Sequence, residues 1–248
     1  MIGQNQGKNL ENELIHLINN KSYLQIQNNV KTLLNKLGFR LFSEDIFYAL
    51  KPKSANRKTD IIISNSNNQS VNISVKSGRG NSVHQEKIND FCDLLIELGF
   101  EEEEIDNVLF FHWCDYTLNN SGFDRKKSKE FKNIHKDRYI KLIDSYSRIK
   151  NILIPRLLIG NDLNYIPDYL VYIDSQFNFY PWEMDFVINF HVNKNDSKKT
   201  IGNLSSQTWN LCVNRNPMTE KRRYSIQWKW GNILKDMESF LETNSRNI

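Results

Sequence analysis

Much of what equips an enzyme with ready-made chemistry is missing from this sequence. Its 248 residues hold only three cysteines, Cys92, Cys114 and Cys212, far apart and with no Cys-x-x-Cys pair. That argues against a structural zinc site or a disulfide framework, and a reducing cytoplasm is the expected setting. The five histidines (16, 84, 112, 135 and 191) show no His-x-x-x-His and no ββα-metal nuclease spacing. No Gly-x-Gly-x-x-Gly, Walker loop or Gly-x-Ser-x-Gly elbow is present, so no nucleotide cofactor is expected. No apolar run approaches 18 residues and the start carries no apolar signal core, so neither membrane insertion nor secretion is expected.

What remains is a polar chain with 39% hydrophobic and 25% charged residues and a mean hydropathy of −0.59. A formal charge of +4 and a pI near 8.8 permit a nucleic-acid partner without requiring one. The charge is unevenly spread. Arg125 to Lys150 holds ten basic residues against three acids, Asp90 to Asp106 holds eight acids and no base, and Arg215, Lys221, Arg222, Arg223 and Lys229 form a second basic cluster. A charge run is usually a solvated face.

Periodicity predicts helices over about 9–19 and 26–37, the second stopped by Gly38. Thr59 to Ser64 and Val71 to Lys76 read as a β-hairpin, rich in β-branched residues with turn formers between. Ser82 and Gln85 predict a capping box for a helix to about Leu98. A strand is expected over 107–113 and a long basic helix over about 128–150. Strands are expected at 168–173, 184–192, 208–213 and 224–228, with a closing helix over 231–243. With no repeat or low-complexity linker, the expectation is a single α/β domain over 1–248. About 1–160 would form one part of it and 161–248 a strand-rich second part.

Side chains alternate along a strand, so Ser74 and Lys76 share one face, and Asp60 reaches it from the neighbouring strand. A carboxylate, a second oxygen and a lysine around one hard cation is the layout of a metal-dependent phosphodiesterase centre.

Thr59-Asp60 followed by Ser74-Val75-Lys76 resembles the motif of the PD-(D/E)xK nuclease superfamily, to which most type II restriction endonucleases belong. The resemblance spans about residues 7–115. In that superfamily an N-terminal helix often adds a Glu in the pattern G-x-x-[FL]-E-x-x-[VL], which Gly7 to Leu14 match, with Glu11 at the Glu position and Glu13 beside it. The resemblance implies a restriction-endonuclease-like core, a mixed central sheet flanked by helices, with a strand-rich C-terminal half. It implies Asp60 and Glu11 as acidic metal-site residues, Lys76 as catalytic lysine, Mg²⁺ as cofactor, double-stranded DNA as substrate and a homodimer as the working form. Thr59 stands where the motif has Pro, and Ser74 replaces its second acid. A subgroup of restriction enzymes that also reads Ser-Val-Lys supplies the missing acid from a Glu on the following helix, a place for which Glu86 is the nearest candidate. Glu86 also fits a solvated helix face. His84, near that helix start, meets a phosphate or sits as a satisfied half-buried histidine.

In the C-terminal half, Gln207 and Asn210 are of the type that pairs with adenine. Arg222 and Arg223 suit guanine or phosphate. Trp209, Tyr224, Trp228 and Trp230 pack either beneath such a surface or in an ordinary core. The expected function is Mg²⁺-dependent cleavage of a short specific duplex sequence. The rivals are a DNA-binding protein on a nuclease-like fold that no longer cleaves, and a repair or junction-resolving nuclease.

Overall fold

The structure is a computed structural model that describes residues 5–53, 58–78, 82–122, 126–207 and 224–245. In chain order the elements begin α1 (Asn5–Ile18), β1 (Lys21–Ser22), α2 (Asn28–Lys36), β2 (Ile46–Leu50), β3 (Ile61–Asn65) and β4 (Ser70–Ser77). There follow β5 (Ser82–Lys87), α3 (Ile88–Glu97), α4 (Glu102–Trp113), α5 (Ser128–Ile134), α6 (Lys136–Arg148) and α7 (Lys150–Ile159). The chain continues as β6 (Tyr169–Ile173), β7 (Phe179–Glu183), α8 (Met184–Asn193), β8 (Leu204–Gln207), β9 (Ser225–Trp230) and α9 (Ile233–Ser245). It groups into two compact units, each made of two stretches: Met1–Gly80 with Leu158–Asn189, and Asn81–Leu157 with Phe190–Ile248. No helix among the described residues is long and apolar enough to cross a membrane.

The first unit is built on a six-stranded sheet in the order β1-β2-β3-β4-β6-β7. Every pairing is antiparallel except β4 with β6, which makes the sheet mixed. Strict alternation sends Phe47, Ala49, Ile61, Ile63, Ile73, Val75, Val171 and Ile173 to one face. There they bury against Leu14 and Ile18 of α1 and Val30, Leu33 and Leu34 of α2. Burying side chains of this size contributes roughly 1.5–3 kcal/mol each, so the face that alternation chose is held firmly in register. The β3–β4 turn is closed by Asn65, whose Oδ1 accepts the backbone N–H of Asn67 (3.2 Å) and of Gln69 (3.0 Å).

The second unit has a three-stranded antiparallel sheet, β5-β9-β8, with α3 packed on it and α4 against α3 and α6. Trp228 and Trp230 are fully buried, Trp228 between Phe91 and Tyr146 and Trp230 against His191. They are core residues here.

Four expectations are corrected. The segment 82–87 is a strand, because His84 and Glu86 pair with Trp228 and Ile226 across β9, and a ladder of long-range hydrogen bonds outweighs a local capping pattern. Lys87 occupies the N-cap position of α3, with no side-chain capping bond. The apolar run 107–113 is the second half of helix α4, not a strand. Its start is marked by Glu101 to Glu104, where Glu101 and Glu104 cap each other and three acids favour the positive helix end. Residues 184–192 form most of α8, with Met184, Val187 and His191 buried at helical spacing. The long basic helix expected over about 128–150 is two, α5 and α6, separated at His135, and α7 starts after Ile149. The strand expected at 208–213 lies outside the described residues.

Candidate active site

At one end of the first unit's sheet, β2 leaves, β3 enters and β4 leaves, so three chain segments deliver polar residues to one edge. Asp60 directly precedes β3, and its N–H donates to the Ile73 carbonyl at 2.8 Å, extending the β3–β4 ladder by one rung. Thr59 is fully buried and donates its hydroxyl to the Tyr165 carbonyl at 2.6 Å, which anchors the chain just ahead of Asp60.

The Asp60 carboxylate is oriented from β4. Its Oδ2 accepts the Val75 backbone N–H at 2.7 Å and the Ser74 hydroxyl at 3.2 Å. Among the described residues Oδ1 takes no hydrogen bond, so one oxygen is fixed and the other left open. Ser74, almost fully buried, therefore serves the acid opposite it. Lys76 lies on the same face two residues on, half-buried, with no hydrogen bond or ion pair among the described residues. Burial pushes the Asp60 carboxyl up. The positive charge of Lys76 and the Val75 bond pull it back, the negative charge of Glu11 raises it again, and the net direction is upward.

Glu11 comes from α1, which packs on β2 and β4. Its carboxylate is half-buried and paired with Lys51 Nζ at 2.9 Å. Its neighbour Glu13 is exposed. Asp60, Ser74 and Lys76 thus lie together at one end of the sheet, with the charge of Glu11 felt by the Asp60 carboxyl. Lys51 is the residue that the reading missed. The signal for it was present, since Phe47 and Ala49 face α1 and the alternation carries on to Lys51.

The second unit holds Glu86 and His84. Glu86 lies on β5 and not on a helix, with its side chain only 12% exposed. Arg156 grips it with two hydrogen bonds, NH1 to Oε1 at 2.6 Å and NH2 to Oε2 at 2.7 Å, and His84 Nε2 lies 2.9 Å from Oε1. Burial alone would raise the Glu86 carboxyl, yet the bonds from His84 and Arg156 overcome it and hold the group at about 2. Both oxygens are engaged, so the carboxylate is a structural anchor for β5 and α7. No local signal pointed to Arg156.

Gln207 is the last residue of β8, opposite Gln227 in the ladder. Asn210, Arg222 and Arg223 lie outside the described residues, as does Trp209. Tyr224 is exposed and meets Trp113 edge-on.

Among the described residues no group of three His, Cys, Asp or Glu is arranged to hold a metal. Mg²⁺ does not require one. It keeps several waters and is held by one or two carboxylates together with phosphate oxygens. The open Oδ1 of Asp60, a carboxyl that burial disfavours as a bare anion, and the Glu11 carboxylate fit such a hard cation.

Among solved structures the chain is similar to restriction endonuclease MspI in complex with its cognate DNA, with a TM-score of 0.55 and 15% identity over 90% of this chain and 88% of that one. No protein-family model and no curated protein matches the sequence. The fold is restriction-endonuclease-like: an α/β architecture with a mixed six-stranded sheet flanked by helices.

Proposed function

We propose that this chain is a type II restriction endonuclease that hydrolyses phosphodiester bonds at a specific short sequence of double-stranded DNA with Mg²⁺. What carries the reading is the Asp60 carboxylate, oriented by Val75 and Ser74 beside Lys76 at the sheet end of a restriction-endonuclease-like fold. The solved structure that resembles it was seen with its cognate DNA.

Asp60, through Oδ1, and Glu11 would hold the cation, which supplies charge neutralisation and polarises the scissile phosphate. The protein's own contribution is position. Val75 and Ser74 keep Asp60 from rotating, so Oδ1 is presented without a search among rotamers. Lys76 donates to the phosphate and to the attacking water, drawing the water oxygen toward phosphorus. That oxygen forms the new P–O bond while its proton passes to solvent, and the sugar oxygen on the far side departs with the electron pair of the broken P–O bond and takes a proton from water. A homodimer presents two such centres, one to each strand of a palindromic site. Gln207, Asn210, Arg222 and Arg223 would read bases or neutralise phosphate.

The loss of an acid at Ser74 favours one rival reading, a DNA-binding protein that no longer cleaves. Incubation of plasmid and phage DNA with Mg²⁺ or with EDTA separates the two. Discrete fragments that need Mg²⁺ and vanish in Asp60→Ala and Lys76→Ala support the endonuclease. Intact DNA that still shifts in a gel overturns it in favour of the binder. Preferential cutting of branched over linear duplexes overturns it in favour of a junction-resolving nuclease.

A further inference from the structure

We propose, resting on the nuclease reading, that Lys51 stands in for a second divalent ion, so that the Asp60–Glu11 centre takes a single Mg²⁺. Lys51 is placed by the fold and not by chance of rotamer. It extends the helix-facing alternation of Phe47 and Ala49, and the buried Pro52 that follows holds its backbone extended. From there its ammonium reaches Glu11 Oε2 at 2.9 Å in a half-buried pair.

The charge balance argues for one ion. Asp60 and Glu11 bring two negative charges to this edge and Lys51 and Lys76 two positive ones, with Asp60 feeling both Glu11 and Lys76. One Mg²⁺ meeting a phosphodiester adds a modest excess of positive charge. Two Mg²⁺ would stack four more positive charges beside two ammonium groups with only two carboxylates to oppose them.

The donor count agrees. Two-metal centres hold their ions about 3.5–4 Å apart, which demands several oxygens shared or arranged around both. Here the Ser74 hydroxyl is spent on Asp60, one Asp60 oxygen is spent on Val75 and Ser74, and one Glu11 oxygen is spent on Lys51. Among the described residues no third carboxylate joins them. Lys51 supplies positive charge where a second ion would otherwise sit, and holds Glu11 in place while doing so.

The test is Mn²⁺ binding to the full chain, followed by electron paramagnetic resonance and by calorimetric titration at low ionic strength. Wild type and Lys51→Arg are expected to bind one Mn²⁺ per chain at this centre, with no signal from a coupled pair. Lys51→Met keeps the stem and removes the charge. It is expected to bind its first Mn²⁺ roughly tenfold more tightly, the size of effect that one unit charge a few ångströms from a divalent ion exerts at a solvated edge. It should also admit a second ion with a coupled spin signal. Two coupled ions in wild type overturn the inference and leave the nuclease reading standing. So does unchanged or weaker binding in Lys51→Met. An Asp60→Ala chain that binds as many ions as wild type overturns the nuclease reading and this inference with it, whereas a wild type that binds none without DNA overturns this inference alone, because a nuclease centre can draw on phosphate oxygens to hold its cation.

Discussion

Replacing Asp60 by Asn is the perturbation that best separates a working site from a structural one. The amide oxygen of Asn can accept the same two bonds, from Val75 N–H and the Ser74 hydroxyl, so the shape of the site survives. Two charge-assisted bonds become neutral ones, at a loss of about 1 kcal/mol each. Against this, the desolvation of a buried carboxylate, several kcal/mol for an ion taken out of water, is relieved. So is the repulsion from Glu11, while the attraction of Lys76 is lost. The upward direction of the Asp60 carboxyl says that burial and Glu11 outweigh the favourable contacts. A carboxyl raised in the folded state binds its proton more tightly folded than unfolded. The wild type therefore loses stability as pH rises from the ordinary carboxylate value through the raised one. Asn removes that slope. The variant is expected to be more stable than wild type at pH 7 and no more stable at pH 4, measured by denaturant unfolding followed by circular dichroism. Cleavage should fall at least a thousandfold, since a charged group at the reacting centre is lost, while gel-shift binding persists. A site that gains stability when its activity is removed is one kept for function. An Asn variant more than about 2 kcal/mol less stable at pH 7, or one that cleaves within tenfold of wild type, would refute the reasoning.

Glu86→Ala leaves Arg156 buried without its carboxylate and is expected to cost about 3–5 kcal/mol in denaturant unfolding; wild-type stability would mean the pair is idle. Because Glu86 is held at about 2 against an ordinary 4.5, wild type should lose about 3 kcal/mol as pH falls from about 4.5 toward 2, a loss that Glu86→Gln lacks. His191 is fully buried and burial lowers it to about 4, although its bond to the Gly202 carbonyl pulls the other way. Its contribution is complete above about pH 6.5 and is lost on acidification, about 2 kcal/mol by pH 5, and unfolding curves of His191→Asn should lack this step. Gly202 has φ +48°, and an added Cβ would lie 2.0 Å from the His191 carbonyl oxygen, so Gly202→Ala should cost at least about 3 kcal/mol in the same assay; a tolerated Ala would refute that packing.

The hairpin that delivers Asp60, Ser74 and Lys76 was legible in the sequence because everything that makes it is local. Alternation of period two, β-branched residues and an Asn-rich turn act within a few residues of each other, and the register puts Asp60 next to Ser74 by the same alternation. The α1 stripe followed from helical period for the same reason, while Glu11 was singled out by the likeness of Gly7 to Leu14 to the superfamily's helix pattern. Where the reading failed, the deciding partner was remote. The segment 82–87 became a strand because β9 lies beside it, and Glu86 turned from a candidate ligand into a clamped anchor because Arg156, seventy residues away, reaches both its oxygens. Residues 107–113 and 184–192 are apolar enough to be buried in either form. A buried apolar run carries no period to tell helix from strand, and only the neighbours they pack against settled it. The sequence by itself thus determined the strand pair and which side chains it displays together. Tertiary structure alone brought Lys51 to Glu11 and decided which acids are open to a ligand, because ion pairing depends on distances in space that spacing along the chain does not encode.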